Sequence, residues 1–353
     1  MTDTILPGIH THDIATTRLR ARVLERPADG TEAQTVVFVH GNVSSSLFYQ
    51  PTMLALPAQW RALAIDLRGF GESETLPVDA TRGLGDFSDD VVSVLDALQL
   101  AAVHLVGWSM GGGVVLQLLL EHAERVLSVT LESPVSPYGF GGTALDGSLL
   151  TPDAAGTGGG GANPDFIARL LSGDTSADEQ TSPRSVYRSA YVAHPESLSH
   201  EDLWVASMLT TATGLDNYPG DATVSENWPG FAPGDRGVLN TMAPTHFRVD
   251  GIVDVPNKPA ILWVRGSSDA IVSDTSFFDL NMLGQIGAIP GWPGAEIAPP
   301  QPMVSQTRAV LEAYSAAGGE HTEVVFDDCG HSPHLEQSER FDAALLAHLD
   351  RVN

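Results

Sequence analysis

A serine between glycines is the clearest candidate for chemistry in this chain. The segment 106–112 reads VGWSMGG, which places Ser109 two residues from a glycine on each side. A serine on a tight strand-to-helix turn sits in strained backbone geometry, and such glycines let the strand and helix pack closely. Apolar residues precede and follow the turn, as a buried strand and helix require. The pattern predicts a nucleophile at Ser109; the competing interpretation is a glycine-rich turn with an incidental serine.

A nucleophilic serine needs a base, and the base needs an acid that orients it. His331 is the candidate base, because it follows a glycine just after the last predicted strand. His334 is the rival base, although it could instead lie on a short helical turn that packs against the site. Asp269 is the candidate acid, because it comes just after another predicted strand. The order Ser109, Asp269, His331 is the order expected for a serine on such a turn.

Two other acids remain open at this stage. Glu132 closes an earlier predicted strand, from where it could also reach a catalytic histidine, and Asp274 lies farther along the Asp269 loop.

Acyl transfer to a serine also needs hydrogen-bond donors for the developing oxyanion. The amide of Met110 follows the nucleophile at the start of a helix, and the amide of Asn42 follows the predicted strand that ends at His40. The Asn42 side chain and Trp108 are the candidate substrate-binding groups, although Asn42 could equally serve as a turn residue. His40 is expected to anchor its loop rather than to act as a second base.

Strands that alternate with helices must position these residues. The pattern predicts an α/β fold with a mostly parallel twisted sheet and helices on both faces. The predicted strands are 18–25, which alternates like an exposed strand, 35–40, 61–67, 102–106, 126–131, 260–265 and 322–326. The predicted helices are 87–98, 113–120, 163–172, 201–211, 304–317 and 338–349.

A long insertion interrupts this alternation. We expect residues 1–135 and 257–353 to form the core and residues 136–256 to form an inserted cap over the strand ends, where ligands bind in α/β sheets. The glycine run 156–161 is interpreted as a flexible linker, since no Lys-Ser/Thr follows it as in a phosphate loop. Aromatic residues of the insertion, with the segment 283–302, could line a roomy pocket or form the cap's own small core. They are Trp204, Tyr218, Trp228, Phe231 and Phe247.

Composition excludes several function classes. The 353 residues are 42% hydrophobic, which suffices for a substantial core, and the 44 acidic against 18 basic residues give a net charge of −26. Such a charge disfavours nucleic acid and anionic membranes as partners. The one cysteine, Cys329, allows no intramolecular disulfide, and the 12 histidines show no metal-site spacing. We therefore expect a cytoplasmic protein without a signal peptide, membrane span, metal or cofactor; the oligomeric state stays open.

Taken together, these motifs resemble the α/β-hydrolase fold superfamily, in particular its serine esterase and lipase members with a cap. The resemblance rests on His40-Gly41-Asn42, the segment DLRGFGES at 66–73, the segment GWSMGG at 107–112, Asp269, and Gly330-His331. In that family the 66–73 motif shapes a loop near the site. The His-Gly-Asn opening is similar to that of haloalkane dehalogenases and epoxide hydrolases, but those enzymes use an aspartate where this chain has Ser109.

The resemblance implies covalent serine catalysis through a Ser109, His331 and Asp269 triad, with the amides of Asn42 and Met110 as an oxyanion hole. The implied substrate is a small-molecule carboxylic ester or lactone, with a bulky macrocyclic lactone such as a macrolide antibiotic as one candidate. A carbon-carbon bond hydrolase and a cofactor-free perhydrolase use the same triad and remain alternatives. A ligand receptor on a hydrolase scaffold is the alternative without catalysis.

Overall fold

The structure is a computed structural model that describes residues 4–30 and 33–352. The predicted core boundaries at residues 1 and 353 therefore lie outside the described residues, as do residues 31–32 of the predicted core.

A twisted sheet of eight strands forms the centre of the molecule. Its strands lie in the order β1-β2-β4-β3-β5-β6-β11-β12, and four shorter strands, β7–β10, lie between β6 and β11 in the chain. The first three bounds are β1 His10–Ala15, β2 Arg20–Arg26 and β3 Gln34–Val39; the others are β4 Trp60–Ile65, β5 Val103–Trp108, β6 Val126–Glu132, β11 Ala260–Gly266 and β12 His321–Phe326.

The pairing pattern confirms the predicted, mostly parallel α/β sheet. β1 and β2 are antiparallel, as are β2 and β4, and all remaining neighbours in this sheet are parallel. The strands β5, β6, β11 and β12 are consecutive in space, so their carboxyl ends meet at one edge. This topology brings the loops after β5, β11 and β12 to the same edge of the sheet, where α/β proteins bind ligands.

The N-terminal part of the sheet differs from the sequence prediction in two respects. The strand at 18–25 was expected to be exposed, but β2 lies inside the sheet between β1 and β4, and its Ala21, Val23 and Leu24 are buried. The additional strand β1 was missed because its residues are polar and mostly exposed, so it carries no apolar signal. β1 pairs along its whole length with residues 20–25 of β2 and thereby covers what would have been the edge of the sheet.

The described part of the chain contains ten α-helices, of which α2 packs on α3 and α1 packs on α10. α3 has an almost wholly buried surface, and this explains the continuous apolar run that follows Ser109. The helices are α1 Gln50–Ala55, α2 Gly85–Ala97, α3 Met110–Glu121, α4 Pro164–Ser172, α5 Pro183–Val186, α6 Glu201–Met208, α7 Leu280–Gln285, α8 Met303–Ala316, α9 Pro333–Glu336 and α10 Ser338–Arg351.

The chain between β6 and β11 contains little regular structure, as its Gly- and Pro-rich sequence predicts. Besides α4, α5 and α6 it holds a π-helical turn, Tyr187–Tyr191, and two small sheets. The strands of these sheets are β7 Thr213–Gly214, β8 Tyr218–Pro219, β9 Ala222–Val224 and β10 Phe231–Pro233. The segment joins β6 to β11, two neighbouring strands of the main sheet. Its role as a separate cap stays a prediction.

The glycine run within this segment is not the solvated linker that the sequence suggested. Gly159–Gly161 forms a 3-10 turn, and a side chain at Gly158 would overlap the Asn240 amide. A side chain at Gly160 would likewise overlap the Phe231 ring. Gly158 and Gly160 are therefore packed against the rest of the insertion, and glycine is required at these two positions by close approach rather than by flexibility.

No helix within residues 4–30 and 33–352 is long and apolar enough to cross a membrane.

Candidate active site

Ser109 occupies the strained turn that its sequence motif predicts. Its backbone has φ 56° and ψ −121°, between the end of β5 and the start of α3. A side chain at Gly107 would overlap the Gly111 carbonyl, and one at Gly111 would overlap the Val39 carbonyl on neighbouring β3. Both glycines of the motif are therefore needed for the close contact between strand and helix. The turn leaves Ser109 partly exposed in an otherwise buried stretch, lining a cavity.

The loops after β11 and β12 bring the predicted acid and base into contact. The Nδ1 atom of His331 lies 2.9 Å from Oδ2 of Asp269, and both side chains are only 2% exposed. The other carboxylate oxygen, Oδ1, accepts the amides of Ile271 and Val272 at 2.8 and 2.9 Å, which fix the carboxylate. Because Oδ2 is an acceptor, we place the imidazole proton on Nδ1. This arrangement leaves Nε2 of His331 free to accept a proton.

The third contact of the predicted triad, between Ser109 and His331, is a shared cavity rather than a hydrogen bond. Ser109 and His331 both line this cavity, but no hydrogen bond joins the Ser109 hydroxyl to His331 within the described part of the chain. Catalytic hydrogen bonds are often long in the absence of substrate and tighten when it binds. The arrangement therefore places the predicted nucleophile and the predicted base at one cavity, with the predicted acid buried against the base.

The alternative acids make other contacts. Oε1 of Glu132 accepts Nδ1–H and the backbone amide of His334, at 2.7 and 2.8 Å, in a site where both side chains are fully buried. Asp274 accepts the amides of Val304 and Ser305 at the start of α8. Glu132 therefore pairs with the rival histidine instead of with His331, and Asp274 caps a helix. His334 lies on the short helix α9, as its alternative interpretation predicted.

Two backbone amides are available near Ser109 for an oxyanion. Met110 is the first residue of α3, so its N–H has no partner within the helix. The loop of Asn42 approaches the nucleophile so closely that a side chain at Gly41 would lie 2.9 Å from the Cβ of Ser109. Neither the Asn42 amide nor the Met110 amide has an acceptor among residues 4–30 and 33–352. Both predicted donors are thus free.

The predicted substrate-binding side chains differ in what they can offer. Oδ1 of Asn42 is buried without a hydrogen-bond partner, and Asn42 lines the cavity. The indole N–H of Trp108 donates to the backbone carbonyl of His331 at 2.9 Å, so only the ring surface of Trp108 is available to a ligand. Asn42 is therefore the residue of the two that can form a polar contact with substrate.

His40 anchors the loop that carries Asn42, as expected. Its Nε2 accepts the Leu67 amide at 3.0 Å, and its Nδ1 donates to the Gly41 carbonyl at 2.8 Å. Burial lowers the pKa of His40 to about 4, so the ring is neutral near pH 7. The 66–73 motif supports the same region, because Asp66 accepts the amides of Ser46 and Glu72. Neither His40 nor Asp66 lines the cavity.

A cavity of about 380 Å³ opens onto Ser109 and His331. Of the five aromatic residues predicted for the pocket or the core of the insertion, only Tyr218 lines it; the sequence missed most of the apolar wall. Trp204 packs on Phe48 instead, with ring centroids 5.0 Å apart. The cavity's apolar wall includes Phe140, Phe166, Tyr191, Tyr218, Met242, Ile271, Phe277, Phe278, Leu280 and Leu283.

Phe277 and Phe278 are 55% and 45% exposed, which places them at the rim of the cavity. Two adjacent phenylalanines shortly after the predicted acid are a sequence signal that could have indicated this part of the wall. Tyr191 gave no signal, yet its hydroxyl donates to the carbonyls of Asn42 and Val43 at 3.0 and 3.1 Å. Tyr191 thereby fixes the loop that carries Asn42 from the side of the insertion.

Away from the cavity, the ligand atoms of Asp89, Glu121 and His122 lie within 4.8 Å of one another. Asp89 is already paired with Arg82 at 2.9 Å, and Glu121 accepts a hydrogen bond from Gln117 at 2.7 Å. The cluster therefore has partners of its own and does not point to a metal.

Comparisons with known proteins support this architecture. The sequence model of the family described as alpha/beta hydrolase fold matches residues 34–156. RutD of Variovorax paradoxus, named as a carbamate hydrolase, is 39% identical over 132 residues, or 37% of this chain and 48% of its own length. The 3-oxoadipate enol-lactonase 1 of Acinetobacter baylyi is 33% identical over 121 residues, 34% of this chain and 44% of that protein. The matches thus span less than half of either relative.

Solved structures extend the likeness over nearly the whole chain. The carboxylesterase CesB (YbfK) of Bacillus subtilis superposes with a TM-score of 0.58 at 16% identity, covering 98% of this chain and 93% of that one. At that identity the likeness concerns the fold alone. The family match and this superposition show the α/β-hydrolase fold that the motifs predicted.

Proposed function

We propose that this chain, a protein of the α/β-hydrolase fold, is a serine hydrolase that cleaves a carboxylic ester or lactone through an acyl-enzyme on Ser109. The observation that carries the proposal is the buried hydrogen bond between Asp269 and His331, which leaves Nε2 as the proton acceptor of a histidine that lines the same cavity as Ser109. A buried histidine and carboxylate next to a strained serine form the arrangement that activates a hydroxyl nucleophile.

The steps follow from these positions. His331 takes the hydroxyl proton of Ser109 through Nε2, and the oxygen attacks the substrate carbonyl carbon. The amides of Met110 and Asn42 donate to the resulting oxyanion, and Asp269 stabilises the imidazolium. His331 then protonates the departing alcohol oxygen. In the second half, water loses a proton to His331 and attacks the acyl carbon, which releases the acid and restores the Ser109 hydroxyl.

The cavity supports an apolar, uncharged substrate. Its wall is formed mainly by aromatic and aliphatic side chains, and none of its described lining residues is a lysine or arginine. Asp279 is its one carboxylate, and burial raises the pKa of that group. An anionic acyl or alcohol group would therefore find no counter-charge inside the cavity.

Cavity size bears on the finer candidate, a macrocyclic lactone. About 380 Å³ lies near the lower end of ligand pockets, which span roughly 300–1,000 Å³. A simple ester with a short or medium acyl chain fits this space, whereas a macrocycle would extend beyond Phe277 and Phe278 at the rim. Esters are accordingly the primary candidate, and a macrocyclic lactone is the second.

The test is hydrolysis of p-nitrophenyl esters from acetate to laurate, with one 16-membered macrolide in parallel. Wild type, Ser109→Ala and Ser332→Ala are compared; Ser332 is the matched control because its hydroxyl is buried near His331 and has no hydrogen-bond partner. We expect p-nitrophenol release by wild type and Ser332→Ala, and none above background by Ser109→Ala. A macrolide product heavier by one water would support the lactone candidate.

If the wild type hydrolyses none of the esters and does not hydrolyse the lactone, the proposal is refuted. Turnover of a vinylogous diketone ring-cleavage product, or dye halogenation with acetate and peroxide, would then favour the carbon-carbon hydrolase or the perhydrolase. A ligand whose binding and biological effect survive Ser109→Ala would favour the receptor.

A further inference from the structure

Behind the proposed triad lies a second buried carboxylate and histidine, Glu132 and His334. We propose that this pair is a positioning device: it couples the Ser109 turn to the loop that carries His331 and so sets the approach of base to nucleophile. The inference rests on the proposed function, because it assigns these residues a role in serine catalysis.

Glu132 contacts both catalytic loops. Its backbone carbonyl accepts the Ser109 amide at 2.9 Å, so Glu132 holds the backbone of the nucleophile. Its side chain holds both the amide and the ring of His334, at 2.8 and 2.7 Å. His334 is only three residues after His331, so one residue of β6 connects the nucleophile turn with the histidine loop.

Trp108 forms a second connection between the same loops. It directly precedes Ser109, and its indole N–H donates to the His331 carbonyl at 2.9 Å. Its ring packs against both histidines, with centroids 5.6 Å from His331 and 5.1 Å from His334. The His331 backbone is thus held by Trp108 on one side, while Glu132 and His334 hold the turn that follows it.

The burial of this pair argues against a general stabilising role. Oε2 of Glu132 and Nε2 of His334 are buried and have no hydrogen-bond partner among residues 4–30 and 33–352, and both side chains are 0% exposed. Apolar side chains of similar size would fill such a site without unpaired polar atoms. What apolar residues cannot supply is an acceptor that joins the His334 amide to β6, and this contact sets the geometry of the loop.

The experiment compares Glu132→Leu with Glu132→Gln, using the ester that wild type hydrolyses best. Glutamine retains Oε1 as an acceptor for His334, whereas leucine removes it. We expect kcat of Glu132→Leu to fall about 100-fold, as a misplacement near 1 Å does, with KM within about twofold of wild type. Glu132→Gln should stay within about fivefold of the wild-type kcat, because the contact geometry is retained.

His348→Leu is the matched control. His348 is a buried histidine on α10 whose Nε2 also lacks a partner, and it does not line the cavity. It should keep kcat. If Glu132→Leu does not fold, Trp108→Phe replaces it, because phenylalanine keeps an aromatic ring but has no N–H to hold the His331 carbonyl; its kcat should fall.

A substrate-free readout separates this inference from the proposed function. The downfield Nδ1–H proton resonance of His331, assigned by its loss in His331→Ala, should shift or broaden in Glu132→Leu and stay in place in Glu132→Gln. An unchanged resonance and kcat in folded Glu132→Leu, or equal losses in the leucine and glutamine variants, would overturn the positioning role. Absence of Ser109-dependent turnover in wild type would refute the proposed function, while the resonance would still decide the positioning role.

Discussion

The substitution Asp269→Asn tests the assignment of the acid. In the structure Oδ1 of Asp269 accepts two backbone amides, so the asparagine carbonyl should keep that position and its NH2 group should face Nδ1 of His331. A donor in that position forces Nδ1 to become an acceptor and moves the imidazole proton to Nε2. His331 can then no longer accept the Ser109 proton, although the site keeps its shape and volume.

The expected loss follows from the wrong tautomer rather than from a lost contact. The corresponding change in a Ser-His-Asp protease lowers kcat about 10⁴-fold, and we expect a similar loss here because Asp269 and His331 are equally buried. A factor of 10⁴ corresponds to about 5.5 kcal/mol of transition-state stabilisation. The assay is steady-state hydrolysis of a p-nitrophenyl ester, with KM expected to change little.

Glu132→Gln is the matched amide substitution, since Glu132 is the other buried carboxylate that contacts a histidine. It should retain most of the activity that Asp269→Asn loses. Near-wild-type kcat in a folded Asp269→Asn variant, together with a large loss in Glu132→Gln, would refute the reasoning and move the catalytic acid to Glu132.

Three further predictions concern the surroundings of the triad. Gly111→Ala should lower the free energy of unfolding by about 3 kcal/mol, because its methyl group would overlap the Val39 carbonyl. In Gly161→Ala the nearest neighbour of the methyl group would be 3.7 Å away, so this control should lower the free energy of unfolding much less in the same urea titration. Tyr191→Phe should lower kcat about tenfold, because it removes the hydroxyl contacts to the loop that carries Asn42. An unchanged kcat would contradict a role of Tyr191 in fixing that loop. Burial lowers the pKa of His40 from 6.5 to about 4, so the unfolded chain binds more protons than the folded chain between these pH values. The contribution of His40 to the free energy of unfolding is therefore fully present above pH 6.5 and should fall by about 3 kcal/mol toward pH 4. Equal urea midpoints at pH 7 and pH 4.5 would argue against this prediction.

Sequence reasoning was sufficient to predict where in the sheet the candidate site residues lie. Ser109, Asp269 and His331 each follow a strand of the parallel sheet, and parallel strands that are neighbours place their carboxyl ends together. The glycines beside Ser109 were predictable for the same reason, since the turn admits no side chain there. These features depend on residue type and position along the chain, so a single sequence reveals them.

The cavity wall and the second buried pair depend on tertiary contacts instead. Tyr191 and Leu283 lie far apart in sequence, on helical segments of five and six residues that are too short for a period of apolar residues to mark a face. Glu132 and His334 are separated by 202 positions, and from the sequence Glu132 was an alternative acid and His334 a rival base. The burial of β2 also depends on β1, a polar strand whose pairing has no sequence signature.

The most direct test of the central claim is to trap the acyl-enzyme. The wild-type protein is mixed with a p-nitrophenyl ester and quenched in acid during the initial burst. It is then digested, and the masses of its peptides are measured by mass spectrometry. We predict an acyl group on the peptide that contains Ser109, near one equivalent per chain, and none in Ser109→Ala. Turnover without an acyl group on Ser109, or an acyl group on another residue that forms at the rate of turnover, would contradict the account.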